Sequence, residues 1–137
     1  MIKSAVVVLL IIAAAVLAVP PAQAQSGGAV YELRTYTALE GKLPVLLARF
    51  KDHTIQLFEK HGIENVGYWV PSDAPRNQNT LIYLLKHKSR EAATASWDAF
   101  RKDPAWQKAQ KESEASGKIV DKIESVFMSA TDFSKLK

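Results

Sequence analysis

Glu32, Arg34 and Tyr36 recur at every second position of Val30-Tyr31-Glu32-Leu33-Arg34-Thr35-Tyr36-Thr37. Alternate side chains of an extended strand share a face, so a carboxylate, a guanidinium and a phenol would stand in one row. Such a row could hold an anionic ligand on Arg34 while Tyr36 donates a hydrogen bond. It could equally fix sheet register through a Glu32–Arg34 ion pair, a structural use that outranks the functional one for such pairs. Tyr31, Leu33 and Thr35 occupy the opposite face. Neither set is wholly apolar or wholly polar, so both faces are expected to meet protein.

The histidines add little catalytic signal. His53 and His61 are eight residues apart, too far for one metal ion on a single helix face, and no His-x3-His pair is present. His61 ends an apolar stripe and is the best placed of the three as a haem ligand or general base. His87, between Lys86 and Lys88, reads as a structural or surface residue. Tyr68, Trp69, Trp97 and Trp106 could line a flat apolar pocket, although large aromatics also fill small cores, the reading preferred for Trp97 and Trp106. The ligand-pocket candidates are therefore Arg34, Tyr36, His61, Tyr68 and Trp69, with no catalytic residue assigned. Cysteine is absent, which removes thiol nucleophiles, Cys-ligated metals and disulfides. There is no nucleophile elbow, phosphate-binding glycine loop or paired-carboxylate motif. No metal site is expected, and haem is the one cofactor alternative.

The elements that must position these residues follow from periodicity. Ala29 to Thr37 reads as a strand, and Gly41 as a turn before Pro44 opens a helix. Leu43, Leu46, Leu47, Phe50, Thr54, Leu57, Phe58 and His61 then recur at three- and four-residue spacing, predicting one long amphipathic helix stopped by Gly62. Ile63 to Val70 is a second strand, in which Gly67 marks a bulge or a close approach to the backbone. Pro71 to Asn79 is a loop. Thr80 to Lys88 is a third strand, apolar on both faces at its centre and so expected inside a sheet covered on both sides. Ser89 caps a helix carrying Ala92, Ala93, Ser96, Trp97 and Phe100 on its buried side. Asp103-Pro104 starts another that runs to about Ser116. Ile119 to Ile123 reads as a link, and Val126 to Ala130 as the last strand.

Residues 1–24 have the layout of a cleaved signal peptide: Lys3, an apolar run from Ala5 to Val19, Pro20-Pro21, then Ala22-Gln23-Ala24. The run falls short of the ~20 residues that span a bilayer, so no stable membrane anchor is expected after cleavage. Gln25 to Gly28 would be a flexible leader and 135–137 a tail, with one domain over 29–134. Secretion or a periplasmic location follows. Loss of Lys3 lowers the net charge from +4 to +3, and the remaining charges are dispersed, as on a solvated surface rather than a nucleic-acid groove.

Strand, helix, strand, strand, helix with an added helix, strand is the α+β split arrangement of a ferredoxin-like βαββααβ fold, a four-stranded antiparallel sheet with helices on one face. The bare face needs a cover, and a second copy of the same sheet is the simplest one, giving a homodimer.

Four stretches in this order resemble one family: Tyr31-Glu32-Leu33-Arg34-Thr35-Tyr36-Thr37 followed by Gly41-Lys42, Gly67-Tyr68-Trp69, Asp103-Pro104-Ala105-Trp106, and Ala130-Thr131-Asp132-Phe133-Ser134. Together they resemble the NIPSNAP domain, a branch of the dimeric α/β-barrel superfamily. The sequence departs from the pattern in the Pro71 to Asn79 loop and at Ala130, near which the family often has proline. The resemblance implies a ferredoxin-like protomer dimerised through its sheet into a barrel. Family members with known roles look like interaction, trafficking or signalling factors, while related barrels include cofactor-free monooxygenases, haem-handling enzymes and stress-response proteins. The expectation is an exported dimeric module that binds a small apolar or aromatic ligand or a protein partner. The alternative is an oxygenase-type enzyme, with Tyr36 or a histidine positioning an enolisable aromatic substrate, or a haem-handling relative of it.

Overall fold

A computed structural model describes residues 28–137. The expected signal peptide, 1–24, and leader residues 25–27 lie outside the described residues. The chain runs β1 (Val30–Ala38), α1 (Leu43–Arg49), a π-helical turn (Phe50–Thr54), α2 (Ile55–Lys60), β2 (Glu64–Trp69), a short 3-10 turn (Arg76–Gln78), β3 (Thr80–His87), α3 (Arg90–Lys102), α4 (Pro104–Ser113) and β4 (Val120–Met128). The strands form one antiparallel sheet in the order β2-β3-β1-β4. This is the ferredoxin-like α+β arrangement, and β3 lies inside the sheet, as its apolar composition requires.

α1, the π turn and α2 form one continuous helical rod, and its spacing explains the irregularity in the middle. Leu46, Phe50, Thr54 and Phe58 are four residues apart, and all four are buried. At about 100° per residue each step overshoots a full turn by about 40°, so a regular helix would rotate Phe58 well away from Leu46. The wider i→i+5 turn, in which the Ile55 N–H donates to the Phe50 carbonyl, absorbs that drift. Thr54 donates its hydroxyl hydrogen to the Arg49 carbonyl at 3.2 Å, satisfying its own buried oxygen. Gly62 then takes a φ of 76°, which ends the rod.

Both later helix starts behave as their residues predict. The Ser89 hydroxyl accepts from the Ala92 N–H at 3.0 Å, and the Asp103 carboxylate from the Ala105 N–H at 2.8 Å with Pro104 in the first turn.

Alternation along β1 and β3 sets the two faces of the sheet. Glu32, Arg34, Tyr36 and Ala38, with Leu81, Tyr83, Leu85 and His87, turn toward the helices. Leu33, Thr35, Ile82 and Leu84 turn away. The core lies between the first set and the helices, around Phe50, Phe58, Tyr83, Trp97 and Phe100.

Two boundaries differ from the sequence reading by three residues or more. β4 begins at Val120, so the expected link around Ile119 to Ile123 is largely strand, paired with β1 from Ala38 to Tyr31. Asp121, Lys122 and Glu124 hide the strand in the sequence because β4 is an edge strand with most of its residues exposed. α4 stops at Ser113, earlier than the expected Ser116. At Gly67 both expectations are met: the β2 register shifts between Asn65 and Gly67, and a Cβ there would lie 2.5 Å from the Trp69 ring.

Phe58 touches the rings of Phe50, Tyr83, Trp97 and Phe100 at centroid distances of 4.9–6.2 Å. Phe58→Ala should therefore cost about 3–5 kcal/mol of unfolding free energy in urea melts. Val45→Ala, at a half-exposed position on the same rod, should change it by less than about 0.5 kcal/mol.

Candidate functional site

The Glu32 carboxylate, almost wholly buried, gathers hydrogen bonds from four side chains. Arg34 Nη1 and Ser125 Oγ donate to Oε1 at 2.6 and 2.7 Å; His87 Nε2 and Trp97 Nε1 meet Oε2 at 2.9 and 2.7 Å. A carboxylate only accepts, so His87 carries its hydrogen on Nε2. Its buried Nδ1 has no partner among the described residues. Burial alone would raise the Glu32 pKa, but hydrogen bonds from His87, Ser125, Arg34 and Trp97 outweigh it and hold the group at about 2.

Arg34 is fixed from several sides. Its Nε donates to the Tyr83 hydroxyl at 2.9 Å and its Nη2 to the Tyr36 hydroxyl at 3.4 Å, while the guanidinium carbon lies 4.4 Å from the Trp97 ring centre. Burial opposes its charge, yet the phenolic oxygens of Tyr83 and Tyr36 and the Glu32 carboxylate hold the pKa above the ordinary guanidinium value. Tyr83, deeper still, is pushed well up by burial. Both Glu32 oxygens already have two donors, so the carboxylate is poorly placed to take a proton from a ligand. What the cluster can offer is the outer edge of Arg34, whose side chain is 15% exposed. Beside it on the helix-facing side of β4 stand the exposed Ser125, whose hydroxyl shares Glu32 Oε1 with Arg34 Nη1, and the exposed Ile123.

The expected pocket residues divide. Arg34 and Tyr36 stand together as their spacing requires. Tyr68 is on the same sheet face but belongs to the core: its hydroxyl donates to Asn65 and its ring stacks on Tyr83 at 5.3 Å. Burial, reinforced by Glu59 and Tyr36, raises its pKa. Trp69 lies on the opposite face, 53% exposed, because adjacent strand residues point apart. His61 is held at the end of α2, where Nε2 meets Asp103 Oδ2 at 2.7 Å; Lys60 donates to the same oxygen at 2.7 Å. Lys60, His61 and the Ala105 N–H together hold the Asp103 carboxyl well below its ordinary value. To ligate iron through Nε2, His61 would have to release Asp103.

Sequence reasoning missed Tyr83, His87, Trp97 and Ser125 as partners of Glu32 and Arg34. For Tyr83 and His87 a signal existed, since both continue the Leu81, Leu85 alternation. For Ser125 none did: it meets Glu32 only through the β1–β4 pairing, 93 residues along the chain. Among the described residues, no three His, Asp or Glu side chains are grouped to hold a metal ion.

The family model described as NIPSNAP matches residues 31–135, most of the chain. The chain belongs to the NIPSNAP family. Solved structures agree on the fold. A NIPSNAP family protein of unknown function from Agrobacterium tumefaciens superposes with a TM-score of 0.69 at 23% identity, covering 81% of this chain and 96% of that one. A second A. tumefaciens NIPSNAP family protein gives 0.69 at 20% identity, covering 80% and 99%. An uncharacterized NIPSNAP-like domain protein from Burkholderia xenovorans gives 0.67 at 15% identity, covering 79% and 90%. No curated protein matches.

In this NIPSNAP domain Glu32 should act as an acid-sensitive fastener. Its folded pKa of about 2 lies below the unfolded value near 4.5, so its contribution is complete above about pH 4.5–5 and is lost as pH falls through 2. Glu32→Gln should lower stability by about 3–5 kcal/mol at pH 7, because Arg34 is left buried without its counter-charge. The variant should also show a shallower loss of stability between pH 5 and 2, measured by urea unfolding across that range.

Proposed function

We propose that this NIPSNAP chain is an exported homodimeric binding module, in which two sheets pack face to face and each protomer holds a small ligand beside Arg34. The observation that carries this reading is the sheet face turned away from the helices. The strand registers align Gly67, Leu84, Leu33 and Val126 in one row across all four strands, with Trp69, Ile82 and Met128 beside it. Val126 is 54% exposed, and Trp69 lies flat on Gly67, where the missing Cβ leaves room for its ring. Glu64, Lys86, Lys122 and Glu124 rim this apolar centre, the arrangement of a protein interface with a dry middle and a polar edge. A second copy offers the same row and rim and would satisfy both. Export rests on the layout of residues 1–24. The saturated hydrogen bonding of Glu32 and the engagement of His61 by Asp103 support binding rather than proton transfer.

Residues 25–137 should sediment as a dimer at micromolar concentration. Leu84→Arg, which sets a cation at the centre of the row, should give a folded monomer with an unchanged far-ultraviolet dichroism spectrum. A wild-type chain that sediments as a monomer at that concentration would sink the dimeric reading.

A further inference from the structure

The helix-facing side of β4 forms a row of its own beside the Arg34 cluster. Phe127 pairs with Glu32, Ser125 with Arg34 and Ile123 with Tyr36, so these three side chains flank the buried polar line at strand spacing. Ser125 and Ile123 are exposed, and Ile123 is an apolar side chain left 48% open to solvent. Phe127 is roofed by Arg90, whose guanidinium carbon sits 3.3 Å from the ring centre.

The charges beside this row do not cancel. Arg34 and Arg90 contribute two cations and Glu32 one anion. Glu32 is sealed behind Arg34 with both oxygens occupied, whereas Arg90 is exposed. Of the five N–H donors of Arg34, three have acceptors: Tyr83, Glu32 and Tyr36. Two remain without one among the described residues, on a guanidinium whose orientation is already fixed by those bonds and by Trp97. A pre-oriented guanidinium edge loses little freedom on binding an oxyanion.

We propose that Arg34 and the exposed row of β4 beside it bind a small carboxylic acid with a flat apolar body. The carboxylate meets the unpaired N–H groups of Arg34, and the apolar part lies over Ser125 and Ile123, on the side of β4 away from the Phe127–Arg90 stack. The assignment rests on the binding-module reading for the existence of a ligand and adds its chemical class and its site. Ser125 takes no part as a donor to the acid, because its hydroxyl hydrogen already goes to Glu32.

The test uses residues 25–137 with 2-naphthoate and its neutral isostere 2-naphthamide as probes, in isothermal calorimetry with sedimentation run alongside. Naphthoate should bind at least tenfold more tightly than the amide, with an affinity that falls as salt rises. Ile123→Glu, an exposed substitution on this row, should weaken naphthoate at least tenfold and leave folding and dimerisation unchanged. Arg90→Gln should weaken it severalfold. The pair Glu32→Gln with Arg34→Gln, which removes both buried charges together, should abolish the preference for the acid; Ile123→Glu keeps the test decisive if that pair does not fold. Equal binding of acid and amide, binding of neither, or naphthoate affinity untouched by Ile123→Glu would each overturn the proposal. A dimer that fails these tests overturns the acid site alone, and a monomer that passes them overturns the dimer alone.

Discussion

The Glu32 carboxylate is the point on which the rest of this fold depends. Its four donors come from β1, β3, α3 and β4, so one buried anion ties three neighbouring strands to the helix layer. An ion taken out of water is costly, and the cost is offset here because every lone-pair direction is used and a guanidinium stands beside it. Arg34 is held in turn by Tyr83 and Tyr36, which are core residues through their rings and network residues through their hydroxyls. Packing and polarity are thus not separate layers in this domain. The aromatic core around Phe50, Phe58 and Tyr83 continues into the hydrogen-bond network without a boundary.

That coupling divides the labour between the two sheet faces. The helix side carries the buried charges, the aromatic core and the exposed Ser125 and Ile123 of edge strand β4. The other side is an apolar row with a charged rim, suited to burial against a flat surface of the same kind. Gly67 marks the contrast: its missing side chain lets an exposed Trp69 lie against the outer face, while the next residue, Tyr68, points inward and stacks on Tyr83. Strand alternation alone therefore separates two neighbouring aromatics that the sequence presents as a pair.

Much of the fold was legible before any coordinate. The Ser89 and Asp103-Pro104 helix starts, the stop at Gly62, the interior position of β3 and the shared face of Glu32, Arg34 and Tyr36 all follow from local rules, because each depends on neighbours within a few residues. The π turn was latent in the four-residue spacing of Leu46, Phe50, Thr54 and Phe58, but that spacing alone reads as an ordinary helical stripe. β4 was under-read because an edge strand with exposed residues on both sides keeps no apolar alternation.

The sequence by itself determined the α+β order, the family resemblance and the row of polar side chains on β1. Only the tertiary structure decided what that row is for. Ser125 reaches Glu32 through strand pairing, Trp97 through helix docking, and His87 through its place on the inward face of β3. Likewise His61, which ends the apolar stripe as a free-looking base, becomes a tether once Asp103 arrives from the α3–α4 junction. A residue's own type and spacing specify which face it occupies, whereas its partners come from segments whose distance along the chain carries no local signal.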